Sequence, residues 1–168
     1  VRRGQGAQEM VPLRQVLPDV LDRLSEMSES ENHLPGLSTG LSAVDAKITG
    51  LNKSDLLLLA ARPGMGKTSF ALNIATNVAK STKKAVAIFS LEMSGEQLVT
   101  RIISSEAMVD SHTLRTGQLA NEDWDNIAEV ISTLSGCEIY IDDTSQITTT
   151  EMKSKLRRLP NLGFIVID

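Results

Sequence analysis

The sequence predicts an α/β fold in which a parallel sheet is flanked by helices. From residue 55 onward, short apolar runs typical of strands alternate with amphipathic stretches typical of helices. Strands that alternate with helices pair in parallel, because each helix returns the chain to the end of the sheet where the next strand begins. A glycine-rich turn after the first apolar run is a second indication, since α/β folds bind ligands at such turns.

An amphipathic helix is predicted ahead of this domain, at about residues 11–27. Its apolar residues follow helical spacing: Leu13, Val16, Leu17, Val20, Leu21 and Leu24. Two interpretations stay open: the helix packs on its own domain, or it is a linker helix that docks on a neighbouring subunit. The polar, acidic stretch at residues 25–32 is predicted to be a flexible connector. We therefore assign a linker to residues 1–33 and the main domain to residues 34–168.

Four strands are predicted in the main domain, at residues 56–61, 85–91, 138–142 and 163–168. The first is a continuous apolar run, as expected for a strand buried on both faces. The helix at residues 68–79 is predicted to bury one apolar stripe: Phe70, Ala71, Ile74, Ala75, Val78 and Ala79. Further helices are predicted from a capping box at Ser94, from Asn121, and from a capping box at Thr148. In the second of these we interpret Trp124 as a core anchor.

The turn between the first strand and the first helix has the pattern of a phosphate-binding loop. Successive N–H groups in such a loop and the positive end of the helix bind phosphate, while the lysine reaches the β- and γ-phosphates and the hydroxyl ligates Mg²⁺. Ala61 stands where the general pattern has glycine, and we interpret it as tolerated because it lies at the strand exit. The predicted nucleotide-binding residues are Ala61, Arg62, Pro63, Gly64, Met65, Gly66, Lys67, Thr68 and Ser69.

Two carboxylates are predicted at the same edge of the sheet. Asp168 follows the last strand and is predicted to hold Mg²⁺ together with Thr68. Glu92 follows the second strand and is predicted to orient the attacking water, although acids are also common in the first turn of a helix. ATP hydrolysis therefore has candidate catalytic residues in Glu92 and Lys67.

Composition limits the remaining possibilities. The formal net charge of −4 gives no general attraction to nucleic acid, so DNA contact would need a local basic surface or an arrangement of subunits. The single cysteine, Cys137, cannot form a disulfide within the chain, and this favours a cytoplasmic setting. No apolar run approaches the roughly 20 residues that span a membrane, and the first ten residues lack the apolar core of a signal peptide.

The motifs, taken in order, resemble the replicative DNA helicases of the DnaB family. They are "AARPGMGKTSFALNIA", "FSLEMSGEQLVTRI", "LRTGQL" with "EDW", "IYIDD" and "FIVID". The resemblance covers about residues 34–168, and this family commonly has alanine at the position of Ala61. It implies a RecA-like ATPase domain in which Lys67 and Thr68 contact phosphate and magnesium, Glu92 is the catalytic glutamate and Asp168 holds magnesium.

The resemblance also implies partners and an assembly. ATP would bind between the subunits of a homo-hexameric ring, single-stranded DNA would pass through its centre, and primase and loader proteins would associate with it. The DNA loops, the γ-phosphate sensor and the arginine finger of the family follow the position of Asp168. The family's sheet also contains a further strand between the phosphate-loop strand and the Asp168 strand, and this strand too follows the position of Asp168 in sequence. We therefore expect these residues to be part of a longer helicase.

Two alternatives to a replicative helicase stay open from the residues. A RecA-like ATPase of recombination or repair would share the fold and the phosphate-binding loop. A non-enzymatic oligomerisation module would depend on the helix at residues 11–27 instead. Magnesium-dependent ATP binding that requires Lys67 separates the enzymes from the module.

Overall fold

The computed structural model describes residues 11–29 and 34–168, which fall into two compact units, Val1–Pro35 and Gly36–Asp168. The described residues form seven helices and three strands. The helices are α1 (Leu13–Glu29), α2 (Ser42–Ile48), α3 (Lys67–Thr82), α4 (Gly95–Ala107), α5 (Ser111–Thr116), α6 (Asn121–Ser135) and α7 (Thr149–Leu156). The strands are β1 (Ala85–Phe89), β2 (Ile139–Asp142) and β3 (Leu162–Ile167). No helix in this described part of the chain is long and apolar enough to cross a membrane.

The first unit contains α1, which confirms the predicted amphipathic helix. Its apolar side chains are exposed, with Leu13 at 74% and Leu21 at 62%. The helix continues to Glu29, so the first part of the predicted flexible connector is helical instead. Two glutamates and one methionine in this part have high helix propensity. The rest of the predicted connector and residues 1–10, where the predicted linker starts, lie outside the described residues.

The sheet in the second unit has the strand order β2-β1-β3, and both pairs are parallel. All five residues of the central strand β1 are buried. Val86 and Ile88 pack in the cluster that includes α3 and α4, while Ala87 and Phe89 pack against α7. The predicted parallel sheet with helices on both faces is therefore confirmed.

The predicted strand at residues 56–61 is wrong for this structure. The segment has no strand conformation, and its leucines are exposed, with Leu56 at 84% and Leu58 at 89%. Within the described residues the sheet ends at β3, whose outward Ile167 is 60% exposed. An apolar run becomes a strand only when a neighbouring strand supplies its hydrogen bonds, and here none of the described strands pairs with it.

The helices follow the predicted capping more closely than the predicted packing. Capping boxes start α4 and α7, as predicted. In α3 the predicted stripe is buried from Ile74 to Ala79, but Phe70 is 36% exposed.

Trp124 is 57% exposed, so its prediction as a core anchor is wrong: α6 packs through Ile127 against Ala107 and Val109 on the neighbouring segment. Helices α2 and α5 were not predicted, since each is too short to show periodicity.

Candidate functional site

The predicted phosphate-binding loop leads directly into α3. Gly64 and Gly66 have φ angles of +77° and +85°, a region that residues with a Cβ rarely adopt. Apart from the adjacent residues in the chain, no atom lies within 4 Å of the position that a Cβ would take at either glycine. Glycine is therefore required here by the backbone conformation and not by a lack of space for a side chain. Between them, Met65 N–H donates to the carbonyl of Arg62 at 3.2 Å and closes the turn.

Helix α3 begins without a side-chain cap. Gly66 is the residue before Lys67, and its lack of a side chain leaves the N–H groups of the first turn without that acceptor. The loop residues 61–66 are exposed, and Lys67 and Thr68 are half-buried. Exposed N–H groups at the positive end of a 16-residue helix form a binding site for an anion such as phosphate.

Three predicted site residues meet at this helix end, although Asp168 is 100 positions from Thr68 in sequence. The Lys67 Nζ lies 2.8 Å from Asp168 Oδ1. The Thr68 hydroxyl donates to Asp168 Oδ2 at 2.7 Å. The Asp168 side chain is only 7% exposed, against 38% for Lys67, so the carboxylate lies at the bottom of the site and the ammonium at its mouth.

The mutual contacts shift the pKa values of this pair apart. The hydrogen bond to Asp168 and its negative charge raise the pKa of Lys67, with a smaller contribution from Glu92. Burial on its own would raise the pKa of Asp168, but hydrogen bonds from Lys67 and Thr68 and the charges of Lys67 and Arg101 outweigh it and lower that pKa. Lys67 is thus held as a cation and Asp168 as an anion at neutral pH.

Glu92 lies at the same edge of the sheet, in the loop between β1 and α4. Its neighbour Leu91 donates its N–H to the carbonyl of Asp168 at 2.8 Å, and Asp168 donates its own N–H to the carbonyl of Phe89 at 2.9 Å. The parallel pairing of β1 with β3 therefore brings the Glu92 loop beside Asp168. Glu92 itself is exposed and therefore accessible to a bound ligand.

The comparisons with known proteins agree with this geometry. A family model described as the DnaB-like helicase C terminal domain matches residues 36–168, which is most of the chain. The chain belongs to this family. Replicative DNA helicase DnaB of Geobacillus stearothermophilus is 43% identical over 159 residues, which are 93% of this chain and 35% of that protein. The chain therefore spans about a third of that relative.

Two solved structures share the fold of this DnaB-like domain. The ATPase domain of G40P has a TM-score of 0.80 and 26% identity, over 91% of this chain and 56% of that one. A DnaB-like replicative helicase, studied for its interactions with primase, has a TM-score of 0.79 and 25% identity, over 95% of this chain and 39% of that one. The predicted RecA-like ATPase fold is confirmed by this likeness.

The donors of the DnaB-like domain fit a magnesium ion that is bound together with nucleotide. Thr68 and Asp168 offer a hydroxyl and a carboxylate oxygen 2.7 Å apart, and both are hard oxygen ligands. Within residues 11–29 and 34–168, no group of three or more His, Cys, Asp or Glu side chains could form a cage for a metal. Mg²⁺ in nucleotide sites is held by one or two protein oxygens plus phosphates, and this donor set meets that requirement.

Three residues near the site of this DnaB-like domain were missed from the sequence. Arg101 on α4 carries a positive charge that lowers the pKa of Asp168. The buried Ser90 accepts a hydrogen bond from Met93 N–H at 3.1 Å, and Asp143 accepts one from Gly95 N–H at 2.8 Å. The available signals were a serine directly after β1, whose hydroxyl can bond to main-chain groups of the turn that follows, and an acidic pair at the end of β2.

Proposed function

We propose that this domain binds Mg·ATP at residues 61–69 and hydrolyses it as the motor of a replicative DNA helicase. The observation that carries the proposal is the contact of Lys67 and Thr68 with Asp168 beside Glu92, in a chain of the DnaB-like family. Lys67 binds the β- and γ-phosphates. Thr68 and Asp168 hold the magnesium ion, which neutralises phosphate charge when it is bound.

The chain's own residues divide the work of hydrolysis. The N–H groups of the loop and of the first turn of α3 orient the phosphates, with Ala61 and Arg62 at the entrance and Ser69 in the helix. Lys67 releases its contact with Asp168 and turns to phosphate, which offers the same negative charge. Glu92 accepts a hydrogen bond from the attacking water and so aims the oxygen at the γ-phosphorus.

The proposed assembly is a homo-hexameric ring around single-stranded DNA in the cytoplasm. The exposed apolar stripe of α1 supports it, because a helix with such a stripe buries it against another surface. We assign α1 to the linker that docks on the adjacent subunit. Primase and a loader protein are the proposed further partners, and the relative studied for its interactions with primase supports the first of them.

Two variants of the full-length protein test this function. Lys67→Ala is expected to abolish Mg·ATP binding, because it removes the cation that the phosphates contact, whereas Lys153→Ala on the exposed side of α7 is expected to bind normally. Glu92→Gln keeps the size of the side chain and loses the negative charge, so nucleotide binding is expected to persist and turnover to be lost.

Binding is measured with a fluorescent ATP analogue, and turnover by phosphate release with and without single-stranded DNA. Native Mg·ATP affinity in Lys67→Ala would contradict the assignment of the loop. Native turnover in Glu92→Gln would remove Glu92 from the reaction. ATP hydrolysis that does not respond to DNA would favour an ATPase other than a helicase.

A further inference from the structure

The loop that carries Glu92 is fixed at both of its ends. It runs from the end of β1 to the start of α4, and Glu92 itself is exposed within it. An exposed loop side chain has conformational freedom, but a group that aims a water needs a fixed position. The main chain around Glu92 must therefore supply the order that the side chain lacks.

Ser90 fixes the loop on the side of the sheet. Its hydroxyl, in a residue that is 1% exposed, accepts the hydrogen bond from Met93 N–H at 3.1 Å. This bond closes a ring that contains the main chain of Leu91 and Glu92. The N–H of Ser90 donates to the carbonyl of Asp142 at 2.9 Å, so the ring is anchored to the end of β2.

Asp143 fixes the loop on the side of the helix. Its Oδ2 accepts the N–H of Gly95, the first residue of α4, at 2.8 Å. The capping box of Ser94 and Gln97 orders the same helix start from within the loop. This hydrogen bond links the start of α4 to the segment after β2. Gly95, which donates it, lies three residues after Glu92 in the chain.

We propose that Ser90 and Asp143 are positioning residues that set the place of the Glu92 carboxylate through the main chain on its two sides. The inference rests on the proposed role of Glu92 in ATP hydrolysis. Neither side chain needs to touch nucleotide for this role. Their loss should therefore lower the rate of hydrolysis without weakening the binding of ATP.

The test uses matched pairs in the full-length protein. Ser90→Ala and Asp143→Ala remove the acceptors, while Ser90→Thr and Asp143→Asn retain an oxygen that accepts the same N–H. Each alanine variant is expected to lower kcat about tenfold to a hundredfold, since a misplacement of about 1 Å costs that much, with KM for Mg·ATP unchanged. The Thr and Asn variants are expected to recover most of the rate. Asp143 is exposed, so Asp143→Ala and Asp143→Asn still test the positioning role if a change at the buried Ser90 prevents folding.

Combination with Glu92→Gln separates positioning from a general structural effect. If Ser90 and Asp143 act through Glu92, their alanine variants lower the residual single-turnover rate of Glu92→Gln no further. An equal loss in both backgrounds would overturn the proposal, and so would native kcat in both alanine variants. If Glu92→Gln loses turnover while these variants keep it, only the positioning inference fails. If Glu92→Gln hydrolyses ATP at the native rate, both the proposed role of Glu92 and the positioning inference fail.

Discussion

Replacement of Asp45 by alanine removes the centre of a buried hydrogen-bond network beside α3. The carboxylate of Asp45, which is 8% exposed, accepts three hydrogen bonds: Ser38 Oγ at 2.6 Å, Thr39 N at 2.9 Å and Thr39 Oγ1 at 2.7 Å. The carbonyl of Thr39 accepts in turn from Asn77 Nδ2 on α3 at 3.0 Å. Asp45 therefore holds the segment before α2 against the helix that carries the phosphate-binding loop.

The cost of Asp45→Ala follows from the groups that it leaves without a partner. Thr39 is 0% exposed, so its N–H and hydroxyl cannot turn to solvent. Each buried donor that loses its partner costs about 1–3 kcal/mol, and Thr39 has two such donors, its N–H and its hydroxyl, whereas Ser38 is only partly buried. We expect the free energy of unfolding to fall by about 2–6 kcal/mol, a large part of the roughly 5–15 kcal/mol of a typical domain.

Urea unfolding followed by circular dichroism measures this loss. Asp45→Asn is the matched variant: its amide oxygen still accepts both bonds from Thr39, while an NH2 donor replaces the oxygen that accepts from Ser38 and the negative charge is lost, so the expected loss is about 1 kcal/mol. Asp125→Ala, at an exposed position of α6, is the control, with an expected change within about 0.5 kcal/mol. Equal losses for Asp45→Ala and Asp45→Asn would refute the assignment of the stability to these hydrogen bonds.

The same network makes a prediction about pH. Burial on its own would raise the pKa of Asp45, but hydrogen bonds from Ser38 and Thr39 outweigh burial and lower it from its ordinary value of 3.8. The stability due to the charged carboxylate is therefore fully present above pH 3.8 and is lost as the pH falls through the lower pKa of the folded state. The native protein and Asp45→Asn should converge in stability below that pH.

Three further predictions concern the proposed site and assembly. Asp168→Asn removes the charge that faces the magnesium position, so the dependence of ATP affinity on Mg²⁺ should decrease in titrations with and without the metal, while Asp125→Asn should leave it unchanged. Gly64→Ala should weaken ATP binding about tenfold, because a Cβ at φ +77° costs about 1–2 kcal/mol, whereas Gly136→Ala at φ −86° should bind normally. Leu17→Glu on the exposed stripe of α1 should reduce ring mass in analytical ultracentrifugation and leave ATP binding intact; an unchanged mass would contradict the linker role.

The features predicted correctly from the sequence are those that neighbouring residues determine. The capping boxes at Ser94 and Thr148 depend on residues three positions apart, and both are present. Helix α3 starts at Lys67, one residue before its predicted start, because the glycines of the loop before it fix the turn. The predicted phosphate-binding loop also depends on neighbouring residues, and Ala61 lies outside its two glycine positions with positive φ.

The predictions that failed needed information from other elements. Trp124 and Ile127 both fit an apolar stripe on α6, and periodicity alone does not say which of them faces α4. The apolar run at residues 56–61 matches a buried strand in composition, but its state depends on a partner strand, which the run itself does not specify. Secondary structure that relies on distant pairing is thus the least predictable part of this chain.

The proposed site depends on both kinds of information, which explains why its residues could be proposed from the sequence but the contacts around them could not. Lys67 and Thr68 are placed locally by the start of α3, but Asp168 reaches them only because β3 pairs with β1 in a register that sets Ile167 opposite Phe89. That register continues into the bond from Leu91 to Asp168, so it also places the Glu92 loop. A shift in the register of β3 against β1 would therefore move Asp168 away from the Glu92 loop. The relative positions of Asp168 and the Glu92 loop are therefore set by the pairing of β1 with β3. The hydrogen bonds of Ser90 and Asp143 then fix the main chain on the two sides of Glu92.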